Sequence, residues 1–208
     1  MSIIPARVRV VAVVGIALTC RALLAFSGQG TRPVHPPRTP SIEDTLSELN
    51  THFTVRGRPV HPGLIEKFDR WESDSLQPVV ISVDALAAVG SNEYSDGSVT
   101  TEKGYVTLNR EPGEGYFSYR WLGTVTPGVH VVKTFNNGGG TGVFERLFIL
   151  RASAGVGRTD GAYHQLLLSV VQVFILGDRD ESVVTVRPHS VTIAPSPYRD
   201  KPVILRFK

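Results

Sequence analysis

The chain has 208 residues, with 22 Lys plus Arg against 19 Asp plus Glu, one Cys and a mean hydropathy of +0.01. With 41% apolar and 20% charged residues it is too apolar and too weakly charged for a disordered chain, and 20 Gly with 14 Pro stay below a low-complexity composition. A single Cys excludes an intramolecular disulfide framework and a Cys-rich zinc site.

Residues 1–27 read as an export signal. Arg7 and Arg9 form a positive n-region, and Val10 to Cys20 is an apolar run of eleven. Ala25 and Ser27 then place small residues at the −3 and −1 positions of a cleavage after Ser27. A membrane-spanning helix needs roughly 20 apolar residues. Here Arg21 interrupts the run and Ala22 to Phe26 extends it, so an uncleaved anchor is the second reading. Cys20 does not fit a lipidation site well, because Thr19 stands where a small residue is wanted. Cleavage would remove Arg7, Arg9, Arg21 and no acid, leaving 19 basic residues to balance 19 acidic ones. The basic pI near 9.2 is therefore no argument for a nucleic-acid or anionic-membrane partner.

Residues 28–40 are rich in Gly and then Pro. Pro33, Pro36, Pro37 and Pro40 favour a semi-stiff, extended linker. The string Arg-Pro-Val-His-Pro occurs at Arg32–Pro36 and again at Arg58–Pro62, and at both places the sequence predicts an extended loop. Ser41 is a good N-cap, with Glu43 and Asp44 in the first turn of a short amphipathic helix reaching about Asn50. A second helix is predicted over Pro62–Ser73, where Leu64, Ile65, Phe68 and Trp71 recur at helical spacing.

Strands follow. Val79, Ile81 and Val83 alternate with Val80, Ser82 and Asp84. The runs Gly104–Asn109, Gly115–Leu122, Val129–Phe135, Val143–Arg151 and Gln165–Leu176 come next. Val183–Arg187, Val191–Ala194 and Val203–Phe207 close the chain, with Gly and Pro turns between the runs. Leu166–Leu176, apolar on both faces and rich in β-branched residues, reads as a central buried strand. No strand–helix–strand alternation is visible. The expected architecture over residues 41–208 is one mainly β domain, an antiparallel β-sandwich or curled sheet with two short N-terminal helices.

Candidate chemistry is sparse. Asn136–Gly142 could turn backbone N–H groups toward a ligand, and Asn137, Gly139 and Thr141 are its binding candidates. No Lys and no helix follow, so a Walker-type phosphate loop is excluded and a wide hairpin connection is the plainer reading. Gly155–Gly161 reads as a second such loop. Alternation along Tyr116–Trp121 directs Phe117, Tyr119 and Trp121 to the core and leaves Tyr116 and Arg120 as an exposed binding pair. Asp84, Glu93 and His130 are weak catalytic candidates, because a carboxylate closing an apolar strand must be solvated or paired. His130 and His164 lack a defined third ligand, so no metal site is assigned and no cofactor is implied.

The sequence is read as an exported binding or interaction module, secreted or held in the periplasm or cell envelope. Its partner would be a protein or a glycan, with no nucleic acid and no membrane contact beyond an uncleaved N-terminus. Catalysis is disfavoured; the alternative is an envelope hydrolase, carbohydrate-active, using loop carboxylates.

Overall fold

A computed structural model describes residues 41–69, 80–83, 97–158 and 162–208. Of the predicted strand through Asp84, Val80–Ser82 is strand and Val83 is its last described residue. Asp84, Glu93, Trp71 and the segments 1–27 and 28–40 lie outside the described residues.

Helix α1 (Ile42–His52) starts as its sequence requires. Asp44 N–H donates to Ser41 Oγ and Ser41 N–H to Asp44 Oδ2, each at 3.1 Å, which closes a capping box. It ends on Phe53, whose left-handed backbone (φ 54°) lets its N–H reach the Leu49 carbonyl at 2.9 Å. A bulky residue in that conformation is strained by about 1–3 kcal/mol. Burial of the Phe53 ring, 2% exposed and packed edge-on to Tyr119, offsets the strain. Strands β1 (Thr54–Val55) and β2 (Arg58–Pro59) form a small hairpin under the helix end. Glu48 holds it by accepting from Thr54 Oγ1, Arg56 N–H and Gly57 N–H at 2.8, 2.9 and 2.6 Å.

Helix α2 (Pro62–Glu66) is shorter than predicted and passes into a 3-10 turn at Lys67–Asp69. The second Arg-Pro-Val-His-Pro string is not the loop the sequence suggested. Arg58 and Pro59 are in a strand, His61 caps α2 by accepting from Gly63 N–H, and Pro62 is its first residue. Proline's missing N–H costs nothing there.

Strands β3 (Val80–Ser82), β4 (Ser98–Glu102), β5 (Tyr105–Asn109), β6 (Tyr116–Thr126), β7 (Val129–Asn137), β8 (Phe144–Arg158) and β9 (Ala162–Asp178) build one sheet. Its order is β3-β9-β8-β7-β6-β5-β4, with every pair antiparallel. From β4 to β9 it is a plain meander. Strands β10 (Val184–Arg187), β11 (Ser190–Ile193) and β12 (Val203–Arg206) form a second, three-stranded antiparallel sheet. The chain is therefore mainly β, with antiparallel sheets and two short helices, as its patterning implies.

Each face of the large sheet carries a packed layer over part of its area. On one, Phe117, Tyr119, Val132, Phe148 and Leu168 pack against Leu49, Phe53 and Leu64 of the helical layer. On the other, Val131, Leu147, Ile149 and Leu176 pack against Val191 and Ile193 of the small sheet. The segment predicted as a loop around Gly155 and Gly157 belongs instead to the β8–β9 hairpin, which pairs out to Arg158 and Ala162. Glycine suits Gly155 for a packing reason: a Cβ there would come within 2.3 Å of Leu167 Cδ1.

Candidate functional site

The residues singled out on β6 lie where their alternation directs them. Phe117 and Tyr119 are buried against the helical layer. The Tyr119 hydroxyl donates to the Val60 carbonyl at 2.5 Å, and burial pushes its pKa up. Tyr116 is half-buried and Arg120 exposed on the opposite face. That face also carries Val131 and the second hydrophobic cluster, but toward β4 its side chains line a cavity to which the small sheet contributes no residue.

There the register assembles three cross-strand rows. Glu102, Tyr105, Arg120 and Lys133 form one, Thr100, Thr107, Ser118 and Phe135 the next, and Ser98, Asn109, Tyr116 and Asn137 the third. Neighbouring strands stand about 4.8 Å apart, so side chains within a row touch. The outcome is an open groove of about 570 Å3 in which Tyr105, Tyr116 and Phe135 surround a polar floor. The Thr107 hydroxyl donates to Ser118 Oγ at 3.0 Å, and Asn109 Nδ2 donates to Thr100 Oγ1 at 3.2 Å. The Tyr105 and Phe135 rings meet at 5.4 Å, tilted by 58°. Arg120 stacks its guanidinium over Tyr105 at 5.6 Å, and Lys133 Nζ sits 5.3 Å from the Phe135 ring centre.

Two ion-paired clusters flank the sheet. Lys133 pairs with Glu145 at 2.6 Å and donates to the Asp180 carbonyl at 3.0 Å, separating the groove from the small sheet. Burial raises the Glu145 pKa, and Lys133 opposes it. On the helical side, Asp69 is buried. It accepts from Arg146 Nη1 at 2.6 Å and from Asn136 Nδ2 at 2.9 Å, fastening the 3-10 turn to β7 and β8. Burial raises its pKa against the opposing pull of Arg146. Both carboxylates are engaged by protein groups, so these clusters brace the layers.

The glycine-rich connector is braced from within. Asn137 Nδ2 donates to the carbonyls of Gly140 and Gly142, both at 3.0 Å, while Gly139 N–H donates to Asn137 Oδ1 at 2.8 Å. Gly139 (φ 87°) approaches so closely that a Cβ would lie 2.2 Å from the Gly113 carbonyl oxygen. Asn137 is thus a clamp for its own loop as well as the register partner of Tyr116, and Thr141 is exposed.

His130 sits elsewhere, on β7 against the helical layer. It is 0% exposed, its ring centre 5.0 Å from Phe53 and 6.4 Å from Trp121. Neither ring nitrogen has a hydrogen-bond partner among the described residues, and burial lowers its pKa to about 4. The sheet does not bring it to His164: His130 aligns with Leu150 on β8, whereas His164 aligns with Val156. Among the described residues no group of three or more His, Cys, Asp or Glu could hold a metal ion. None of their helices is long and apolar enough to cross a membrane.

Alternation alone separates Tyr116 and Arg120 from the core face; Tyr116 lines the groove, and Arg120 does not. Tyr105, Thr107, Ser118 and Phe135 were not singled out, although Tyr105, Thr107 and Asn109 already share one face of a period-2 run. Comparisons with family models, with curated proteins and with solved structures gave no match.

Proposed function

We propose that this chain is an exported binding module of the cell envelope or exterior, and that it holds its ligand in the β4–β7 groove. The observation that carries the reading is the groove's lining, three rings around an uncharged polar floor on a sheet face that the small sheet leaves open. Its volume falls within the roughly 300–1,000 Å3 common for small-molecule sites. All the lining residues but Lys103 stand on paired strands, which lowers the ordering cost on binding. Export rests on the character of residues 1–27.

Two measurements test the reading. Mass spectrometry of the protein recovered from cell fractions is expected to find it outside the cytoplasm, beginning after Ser27. A cytoplasmic protein that still carries Met1 would overturn export. Association with isolated envelope material is expected to fall when Tyr105 and Tyr116 are both replaced by Ala. Equal association of the native and doubly substituted proteins would overturn the groove's role.

A further inference from the structure

Resting on that groove being the binding site, we infer that its ligand is a neutral saccharide. Charge is the first argument. The groove's charged lining residues are Glu102 and Lys103, opposite in sign and 3.3 Å apart at its exposed rim, so the lining carries no net charge and the floor itself is uncharged. Arg120, on the same face, is exposed over the Tyr105 ring but does not line the groove, and Lys133 is paired with Glu145. An anion such as a phosphate seated on the floor would lose its hydration without gaining an ion pair there.

The second argument is the chemistry of the floor. Thr107, Ser118 and Asn109 all both donate and accept hydrogen bonds, which is what a row of ligand hydroxyls needs. They stand side by side on β5 and β6, held by the Thr107–Ser118 and Asn109–Thr100 bonds, so they are oriented before any ligand arrives. The third is the placement of the rings. Tyr105, Tyr116 and Phe135 come one each from β5, β6 and β7 and stagger across three successive rows. A sugar presents an apolar C–H face and an equatorial rim of hydroxyls. Rings flanking a hydroxylated floor match both at once. A peptide strand would instead pair with the outer backbone of β4, and its side chains would meet the β4 row (Ser98, Thr100, Glu102) before the rings.

The test is a set of NMR titrations of the isotopically labelled protein with neutral oligosaccharides (hexamers of glucose, N-acetylglucosamine, xylose and mannose), a polyphosphate and a random decapeptide pool. At least one saccharide is expected to shift the amides of Thr107, Ser118 and Tyr116, with polyphosphate and peptides leaving them unmoved. Tyr116→Ala is expected to weaken that binding about tenfold, while Tyr116→Phe keeps most of it. The pair separates a lost stacking face from a lost fold, and Thr107→Val then tests the hydroxyl floor with the rings intact. Groove shifts caused only by peptide or polyphosphate would overturn the saccharide and leave the binding module standing. Groove amides unmoved by every saccharide would also overturn it. If envelope association then proved independent of Tyr105 and Tyr116, the binding-module reading would fall with it.

Discussion

Replacing His130 with Phe is expected to shift stability by an amount that grows as the solution becomes acidic. The ring is fully buried and its pKa is held near 4 by desolvation, whereas in the unfolded chain it titrates near 6.5. On acidification the unfolded state therefore takes up this proton first, and the folded state loses stability from about pH 6.5 until the folded group itself titrates near pH 4. A displacement of that size corresponds to about 3 kcal/mol once both states are protonated, and about 2 kcal/mol of it is already lost at pH 5. A phenylalanine ring at this position cannot titrate. Other groups shift with pH too: the raised pKa values of Asp69 and Glu145 favour the folded state as pH falls, and the lowered ones of Glu48 and Asp180 disfavour it. These carboxylates are common to both proteins, so the difference between the two urea-unfolding free energies isolates the histidine. Between pH 7.5 and pH 5 that difference is expected to move by about 2 kcal/mol in favour of the variant. His130→Leu, which removes any overpacking by Phe, is expected to give the same pH slope with a different intercept. Parallel stability curves for native protein and both variants would refute the reasoning, as would a ring that NMR shows titrating near 6.5 in the folded protein.

Asp69→Ala removes the carboxylate that accepts from Arg146 and Asn136 while keeping the Arg146 bond to the main-chain carbonyl of residue 69 at 2.7 Å, and a loss of about 3 kcal/mol in denaturant unfolding is expected. A loss under about 1 kcal/mol would mean the ion pair is not buried in solution. Gly115→Ala would place a Cβ 2.0 Å from the Asn137 carbonyl oxygen at φ 82°, so it is expected to cost at least about 2 kcal/mol and to disturb the Tyr116 end of the groove. An unchanged melting curve and unshifted Tyr116 and Asn137 amides would contradict this. For Glu48, burial pushes the pKa up, but the bonds from Gly57, Thr54 and Arg56 outweigh it and the net direction is down. Its stabilisation is present above the ordinary carboxylate range and fades as pH falls through its folded pKa. Glu48→Gln is accordingly expected to speed hydrogen exchange at the Arg56 and Gly57 amides at pH 7, with the gap closing in acid.

What the sequence makes legible here is what is local. The α1 cap is written in Ser41 and Asp44, and β5 to β12 are delimited by Gly and Pro turns between alternating runs. Strand β4 escaped because Ser98–Glu102 is exposed throughout: an edge strand with no buried face carries no apolar alternation. The β1–β2 hairpin escaped because its stability comes from Glu48, six to nine residues upstream, and not from its own residues. Two-sided apolarity misled in a more instructive way. Leu166–Leu176 suggested a central strand, yet β3 pairs only with Leu167–Ser169, and no described strand flanks β9 beyond that point. The apolarity has another cause. Leu166, Leu168 and Val170 face the helical layer while Phe174 and Leu176 face the small sheet, so the strand contributes to both clusters along its length, and Val171 and Ile175 between them stay exposed.

The groove follows the same logic. Alternation along β6 separates Tyr116 from Phe117, but it cannot say that Tyr105 and Phe135 will stand beside Tyr116. That depends on the pairing Thr107–Ser118–Phe135 across three strands. A slip of one residue in either pairing would turn the partner strand's other face toward the rings of β6. The glycines fix this register: Gly115 and Gly139 let the β5–β6 and β7–β8 connections interlock at distances no Cβ permits, which anchors the Tyr116–Asn137 pair. The loop glycines that looked like a ligand cradle thus act on the site indirectly, by holding the rows in line, and this is why a substitution at Gly115, which does not line the groove, is expected to be felt inside it.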